Sequence, residues 1–267
     1  MKNILFFLLF TFSLIISGCS NDSTDSQASQ ADSPAQEENA DGQASAEGNQ
    51  TTEEPNPSST NEQLTEIRAM LKMEESKLPT KFPIIDTEYI GAKINKNETD
   101  EYSISFYQTQ EPVTINDESL ATNENMIATF KAETFDDSSK QKELFPEVSL
   151  DSIPDDMKVD LGYQITGMKE GAAGSSYLVW KEGRWVLQIK SISADELDTA
   201  DIARKMVDYL EENALPVPNE NGRIEVNYPE NAEEVEITVR WEEGNIVYTL
   251  ETAEVPINAL MMTVSTE

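Results

Sequence analysis

Carboxylates are the side chains with which this chain could do chemistry. Adjacent acids stand at Asp136-Asp137, Asp155-Asp156 and Glu242-Glu243, the residue type that glycoside hydrolysis and calcium binding both use. Glycosidic cleavage needs two carboxyls held roughly 5 to 10 Å apart across a sugar, a distance that adjacency in sequence does not establish. Oxygen donors gather at Asn97–Glu101 and Phe135–Ser139, the best candidate calcium loops, but neither has EF-hand spacing. Histidine is absent and Cys19 is the only cysteine, which excludes His-dependent triads, Cys/His zinc sites and intrachain disulfides. No phosphate-loop, dinucleotide or G-x-S-x-G motif occurs. The glycine-rich Glu170–Ser176 is followed by no Lys and reads as a hairpin connection. The expectation is therefore no catalytic residue and no metal ligand. Trp180, Trp185 and Trp241 flank two Gly turns and are the aromatic candidates for a binding patch, or else for the core.

Cys19 lies where an apolar run ends and a polar stretch begins. After Lys2, Ile4 to Ile16 is uncharged and rich in Phe, yet shorter than the about 20 residues a bilayer span needs. It has the form of a signal-peptide core. Ile16-Ser17-Gly18-Cys19 resembles the lipobox of bacterial lipoproteins: an aliphatic residue, two small residues and the acceptor cysteine. That resemblance covers only the start of the chain. It implies that residues 1–18 are a signal peptide removed by signal peptidase II and that Cys19 carries a covalent diacylglycerol, with no other cofactor. One acyl chain binds a membrane marginally, at about 0.8 kcal/mol per buried methylene, whereas two or three hold it stably.

From Ser20 to Thr60 there is no Lys, Arg, Leu, Ile, Val, Met or aromatic residue. Such a composition buries too little apolar surface to offset ordering entropy, so 19–60 reads as a disordered acidic tether behind the lipidated cysteine. At about 5 to 6 Å per square root of residue number it would hold the next domain roughly 35 Å from the membrane. The formal net charge of −32, from 51 acidic and 19 basic residues, argues against nucleic acid as a partner. Its simplest meaning is solubility, and its sharper one is attraction to a cation or a basic partner.

Residues 61–267 carry the periodic structure. Thr60 and Gln63 have capping-box spacing, and Leu64, Ile67, Leu71 and Leu78 form a helical stripe that Pro79 stops. Ser193 and Glu196 repeat that box ahead of a second stripe, Ile202, Met206, Tyr209 and Leu210. Strands are predicted on either side of the polar Asn95–Asp100, from Met126, at "YQITGM", on both sides of "KEGR", and in "RIEVNY", "EEVEITVRW" and "NIVYTLE". Val235, Ile237, Val239 and Trp241 alternate with Glu234, Glu236, Thr238 and Arg240, which predicts a sheet with one wet face. Tyr177, Leu178, Val179 and Trp180 run consecutively, so that strand is expected to be covered on both faces. "YLVWKEGRWVLQI" and "VRWEEGNIVYTL" echo one another, either as a record of duplication or as convergence of hairpins on Gly turns.

The fold class predicted is α+β: one domain of antiparallel twisted sheet with two main amphipathic helices, after a disordered tether. The function expected is a non-catalytic lipoprotein on the outer face of a bacterial cell membrane, similar in plan to the lipoproteins of Gram-positive bacteria, that binds another envelope protein or a wall component. A cation-binding or small-ligand module is the alternative, and a carboxylate hydrolase of wall polysaccharide the third.

Overall fold

In the computed structural model, residues 57–230 and 234–267 are described, with side chains from Thr60 onward. The lipobox, Cys19 and nearly all of the expected tether lie outside the described residues.

The alternation in the sequence builds a single mixed sheet. Its strands are β1 (Tyr89–Asn97), β2 (Glu101–Thr109), β3 (Met126–Thr134), β4 (Lys158–Asp160), β5 (Thr166–Ala172), β6 (Ser175–Glu182), β7 (Trp185–Ile192), β8 (Gly222–Asn227), β9 (Glu236–Glu243) and β10 (Ile246–Thr252). Their lateral order is β1-β2-β3-β10-β9-β8-β7-β6-β5-β4. Every neighbour pair is antiparallel except β7 and β8, which run parallel. That exception follows from its connection: a helix between two sheet neighbours returns the chain to its starting end.

Four α-helices occur among the described residues, α1 (Pro57–Met70), α2 (Ser138–Glu143), α3 (Thr199–Glu212) and α4 (Pro256–Val264), of which α1 and α3 are the longest at 14 residues each. α1 starts within the stretch assigned to the tether and ends before Leu71 and Leu78. Residues 71–88 instead run as an irregular strap, neither helix nor strand, whose backbone serves buried tyrosines. Tyr102 Oη accepts from Lys77 N at 3.0 Å and donates to Lys77 O at 2.5 Å, and Tyr248 Oη donates to Glu75 O at 3.0 Å. A phenol taken out of water needs such a partner, and burial pushes both hydroxyls well above the usual tyrosine range. Leu78 and Glu267 exchange backbone hydrogen bonds of 3.1 and 3.2 Å, tying the strap to the residues after α4.

One core joins the sheet to α1, α3 and α4. It contains Leu64 and Ile67 of α1, Ala203, Met206 and Val207 of α3, and Ala259, Leu260 and Met262 of α4. Across the sheet the register sets Trp185, Gly222, Trp241, Tyr248, Ala132 and Tyr102 in one lateral row, one residue per strand. The next row is Trp180, Leu187, Ile224, Val239, Leu250, Phe130 and Ile104. Both rows are buried.

The opposite face is polar. There the register lines up Lys181, Val186, Arg223, Arg240, Thr249, Lys131, Ser103 and Lys96. Carboxylates beside this row pair with four of its cations: Glu225 with Arg223 and Arg240 at 2.9 and 3.0 Å, Glu133 with Lys131 at 2.6 Å, and Glu101 with both Lys131 and Lys96. The β3–β4 connection crosses this face, since β3 and β4 lie far apart in the sheet. Gln141 of α2 bonds Glu242, and Pro146 O accepts from Arg223 Nη1 at 3.4 Å.

Candidate functional site

The two Trp-containing hairpins shape one end of the sheet. In each, a glycine opens a two-residue turn with positive φ, 59° at Gly183 and 64° at Gly244, a conformation that side-chain-bearing residues rarely adopt. Three residues before each glycine is a fully buried Trp, and one residue before it a Glu that accepts from the indole. Trp180 Nε1 donates to Glu182 Oε1 at 2.9 Å, and Trp241 Nε1 donates to Glu243 Oε1 at 3.0 Å. The sequence echo is thus a repeated piece of local chemistry, a buried indole satisfied by the carboxylate beside the turn. Each hairpin is followed by a core helix, α3 after β7 and α4 after β10.

All three tryptophans lie in the core, with exposures of 0, 4 and 0% for Trp180, Trp185 and Trp241. Trp185 packs against Trp241 at 6.2 Å between ring centroids, and Trp241 stacks on Tyr248 at 5.2 Å. This packing depends on Gly222, which sits between the two tryptophans in the lateral row. A Cβ at Gly222 would come within 2.3 Å of the Trp185 ring.

The hairpins differ in what meets the glutamate. The Glu243 carboxylate is clamped by Lys77 Nζ, at 2.7 and 2.6 Å from its two oxygens, and the same ammonium stands 5.6 Å from the centroid of the Tyr248 ring. No lysine or arginine among the described residues pairs with Glu182. It borders instead a cleft of about 320 Å³ lined by Trp185, Leu210, Leu215, Pro216, Val217 and Pro218, with Arg184 at its rim. That volume is at the lower end of the range spanned by ligand pockets, about 300 to 1,000 Å³. Trp185 Nε1 donates to Pro216 O at 3.1 Å and Arg184 Nη1 to Pro218 O at 2.9 Å, which fixes the proline-rich wall. Val217, 79% exposed, stands on this wall. Desolvation pushes the Glu182 carboxyl above the usual carboxylate range; the Trp180 hydrogen bond opposes this and the nearby charge of Glu211 adds to it.

A second recess, of about 540 Å³, lies on the polar face beneath the β3–β4 connection, lined by Phe145, Pro146, Glu147, Ser149, Lys181 and Arg223. Arg223 is already committed there. Its Nη2 donates to Gln188 Oε1 at 3.2 Å, its Nη1 to Pro146 O, and its Nε lies 2.9 Å from Glu225 in an ion pair without a well-aligned hydrogen bond.

The adjacent acids are dispersed. Glu242 and Glu243, consecutive in a strand, face opposite sides of the sheet: Glu242 accepts from Gln141 and Asn221 on the polar face, while Glu243 meets Lys77 and Trp241 on the other. Asp137 caps α2 through Ser139 N at 2.8 Å, and Asp155 pairs with Lys158 at 2.6 Å. Asn97, from the first candidate calcium loop, bonds Lys72 N and Met70 O and so closes the end of α1. Among the described residues no three acids, cysteines or histidines stand together as a metal site would require, and no helix is long and apolar enough to cross a membrane. The proline-rich cleft escapes a motif search because Glu182, Leu210 and Pro216 come together only in space. The available signal was the pairing of Trp with Glu before each Gly turn.

No protein-family model matches this sequence, and comparisons with curated proteins and with solved structures return no match.

Proposed function

We propose that this protein is a lipoprotein of the bacterial envelope, held by a diacylglycerol on Cys19 at the outer face of the cell membrane, whose folded domain binds without catalysis. Its partner on this reading is another envelope protein or a wall component. The observation that carries it is the sequence Ile16-Ser17-Gly18-Cys19 at the end of a short apolar run, followed by a stretch without aliphatic or aromatic residues. Those residues imply an anchor and a tether, whose purpose is to present a domain at a distance from the headgroups. The dispersal of the adjacent carboxylates supports a binding role over a hydrolytic one. A second reading, a small-ligand module, is favoured by the cleft beside Glu182.

The anchor is tested with Cys19→Ala. The variant is expected to leave the membrane fraction for the medium or to accumulate as an uncleaved precursor, with loss of metabolic labelling by palmitate. A fully processed membrane pool identical to wild type would overturn the assignment. Crosslinking of the anchored protein in cells, with mass spectrometry of what is recovered, then identifies the partner.

A further inference from the structure

We infer that the cleft beside Glu182 binds a primary ammonium group carried on an aliphatic stem, as a lysine side chain or a small alkylamine presents it. This inference rests on the proposed binding role and gives it a ligand chemistry.

The protein supplies its own template. At the Gly244 hairpin the carboxylate of Glu243 takes one hydrogen bond from an indole, at 3.0 Å, and is then met by the Lys77 ammonium at 2.6 and 2.7 Å, with an aromatic ring 5.6 Å away. At the Gly183 hairpin the same sequence pattern places the same indole-to-carboxylate bond, at 2.9 Å. There the protein provides no ammonium: among the described residues, Glu182 makes no ion pair. Where the strap brings Lys77 to one hairpin, the other has an open cleft with an aromatic floor at Trp185 and an aliphatic wall at Leu210, Leu215 and Val217. An alkylammonium entering it would complete at Glu182 the arrangement that Lys77 completes at Glu243.

The electrostatics favour a cation and disfavour an anion. Glu211 adds negative charge near Glu182, and the chain as a whole carries −32, so the surrounding field attracts cations. Arg184 is the basic residue lining the cleft, and it bonds Pro218 O without pairing with Glu182. The stem is needed as well as the charge, because the lining away from Glu182 is mostly apolar and gains by covering methylenes, at about 0.8 kcal/mol each. The partly desolvated carboxylate would also gain more from a charge partner than one in water does.

The test is titration of the purified full chain, isotope-labelled, with butylammonium, followed through the Trp185 indole NH and neighbouring amide resonances. Butanol and butyrate at equal concentration serve as controls. Saturable shifts centred on Trp185, Leu210 and Gly183 with butylammonium, at least tenfold weaker with both controls, are expected. Glu182→Gln should abolish the preference for the ammonium over butanol while leaving the rest of the spectrum in place. Should that variant be unfolded, the wild-type titration repeated at falling pH replaces it, with affinity expected to drop as Glu182 becomes protonated. N-acetyl-lysine amide distinguishes the source: binding as strong as that of butylammonium means that the site accepts a lysine within a polypeptide, and exclusion means a free amine. Equal binding of butanol and butylammonium, or no shift at the cleft, would overturn the inference. Either result is independent of whether Cys19→Ala releases the protein, so a failed ligand and a failed anchor would not be confused.

Discussion

At the scale of single residues, Gly222 governs whether the aromatic core can form. It stands between Trp185 and Trp241 in the register, and the Trp185 ring occupies the space where its side chain would be. Intrinsic preference says that Ala in place of a strand Gly should stabilise by roughly 0.5 to 1 kcal/mol. The contact of 2.3 Å to ring atoms reverses that sign, because an indole held between buried neighbours cannot yield cheaply, and overpacking of this kind costs about 1 to 3 kcal/mol. Gly222→Ala is therefore expected to lower the urea midpoint, with Trp fluorescence altered in the folded state. A raised midpoint would show that the indole has room to move. Gly183 and Gly244 are glycine for a different reason: their positive φ makes any side chain there strained, although open space surrounds them.

At the scale of elements, helix ends decide more than helix stripes. The capping box at Ser193 and Glu196 does not start α3; residues 193–195 form a single 3-10 turn, and Glu196 adopts the left-handed conformation with φ of 51°. The helix starts at Thr199 because Asp198 accepts from Asp201 N at 3.0 Å. Asp198→Ala should cost about 1 kcal/mol, while Ser193→Ala should stay within about 0.5 kcal/mol of wild type, both read from denaturant unfolding. An equal loss from both would return the cap to Ser193. This case shows what was legible in the sequence. The stripe Ile202, Met206, Tyr209 and Leu210 located α3, and strict alternation from Val235 to Trp241 located both β9 and its buried side. α4 escaped because "PINALMMTV" is apolar nearly all round and short, which leaves no polar face for a periodicity to show. The strap escaped because its helix-forming residues, "KMEESK", give backbone groups to tyrosines from β2 and β10, partners distant in sequence. The cleft at Glu182 escaped for the same reason: its walls converge only after α3 has turned the chain back into the parallel strand β8.

At the scale of the whole molecule, the polar face is held by charge across the sheet, and its stability should depend on pH in a defined direction. Burial pushes the Glu101 carboxyl up, but hydrogen bonds and charges from Lys96 and Lys131 outweigh it and hold it below the usual range. A carboxyl with a lowered folded pKa contributes stability that is complete above its unfolded value and is lost as pH falls through the folded one. Glu182, raised by desolvation, acts oppositely: its contribution declines as pH rises from the unfolded carboxylate range to the folded value. Glu101→Gln should therefore lose stability near neutral pH and show a shallower acid-side decline than wild type in thermal unfolding; parallel curves would contradict this. The order of strands carries a further consequence, for the time at which the domain can form. β3, residues 126–134, finds its second neighbour only in β10, residues 246–252, so the first meander cannot join the rest of the sheet until nearly all of the domain has been synthesised. Contacts of such separation close slowly, and an unpaired strand edge is a site for misassembly while it waits. A chain interrupted before residue 246 would leave two sheet fragments, each with an open edge, and no means of joining them.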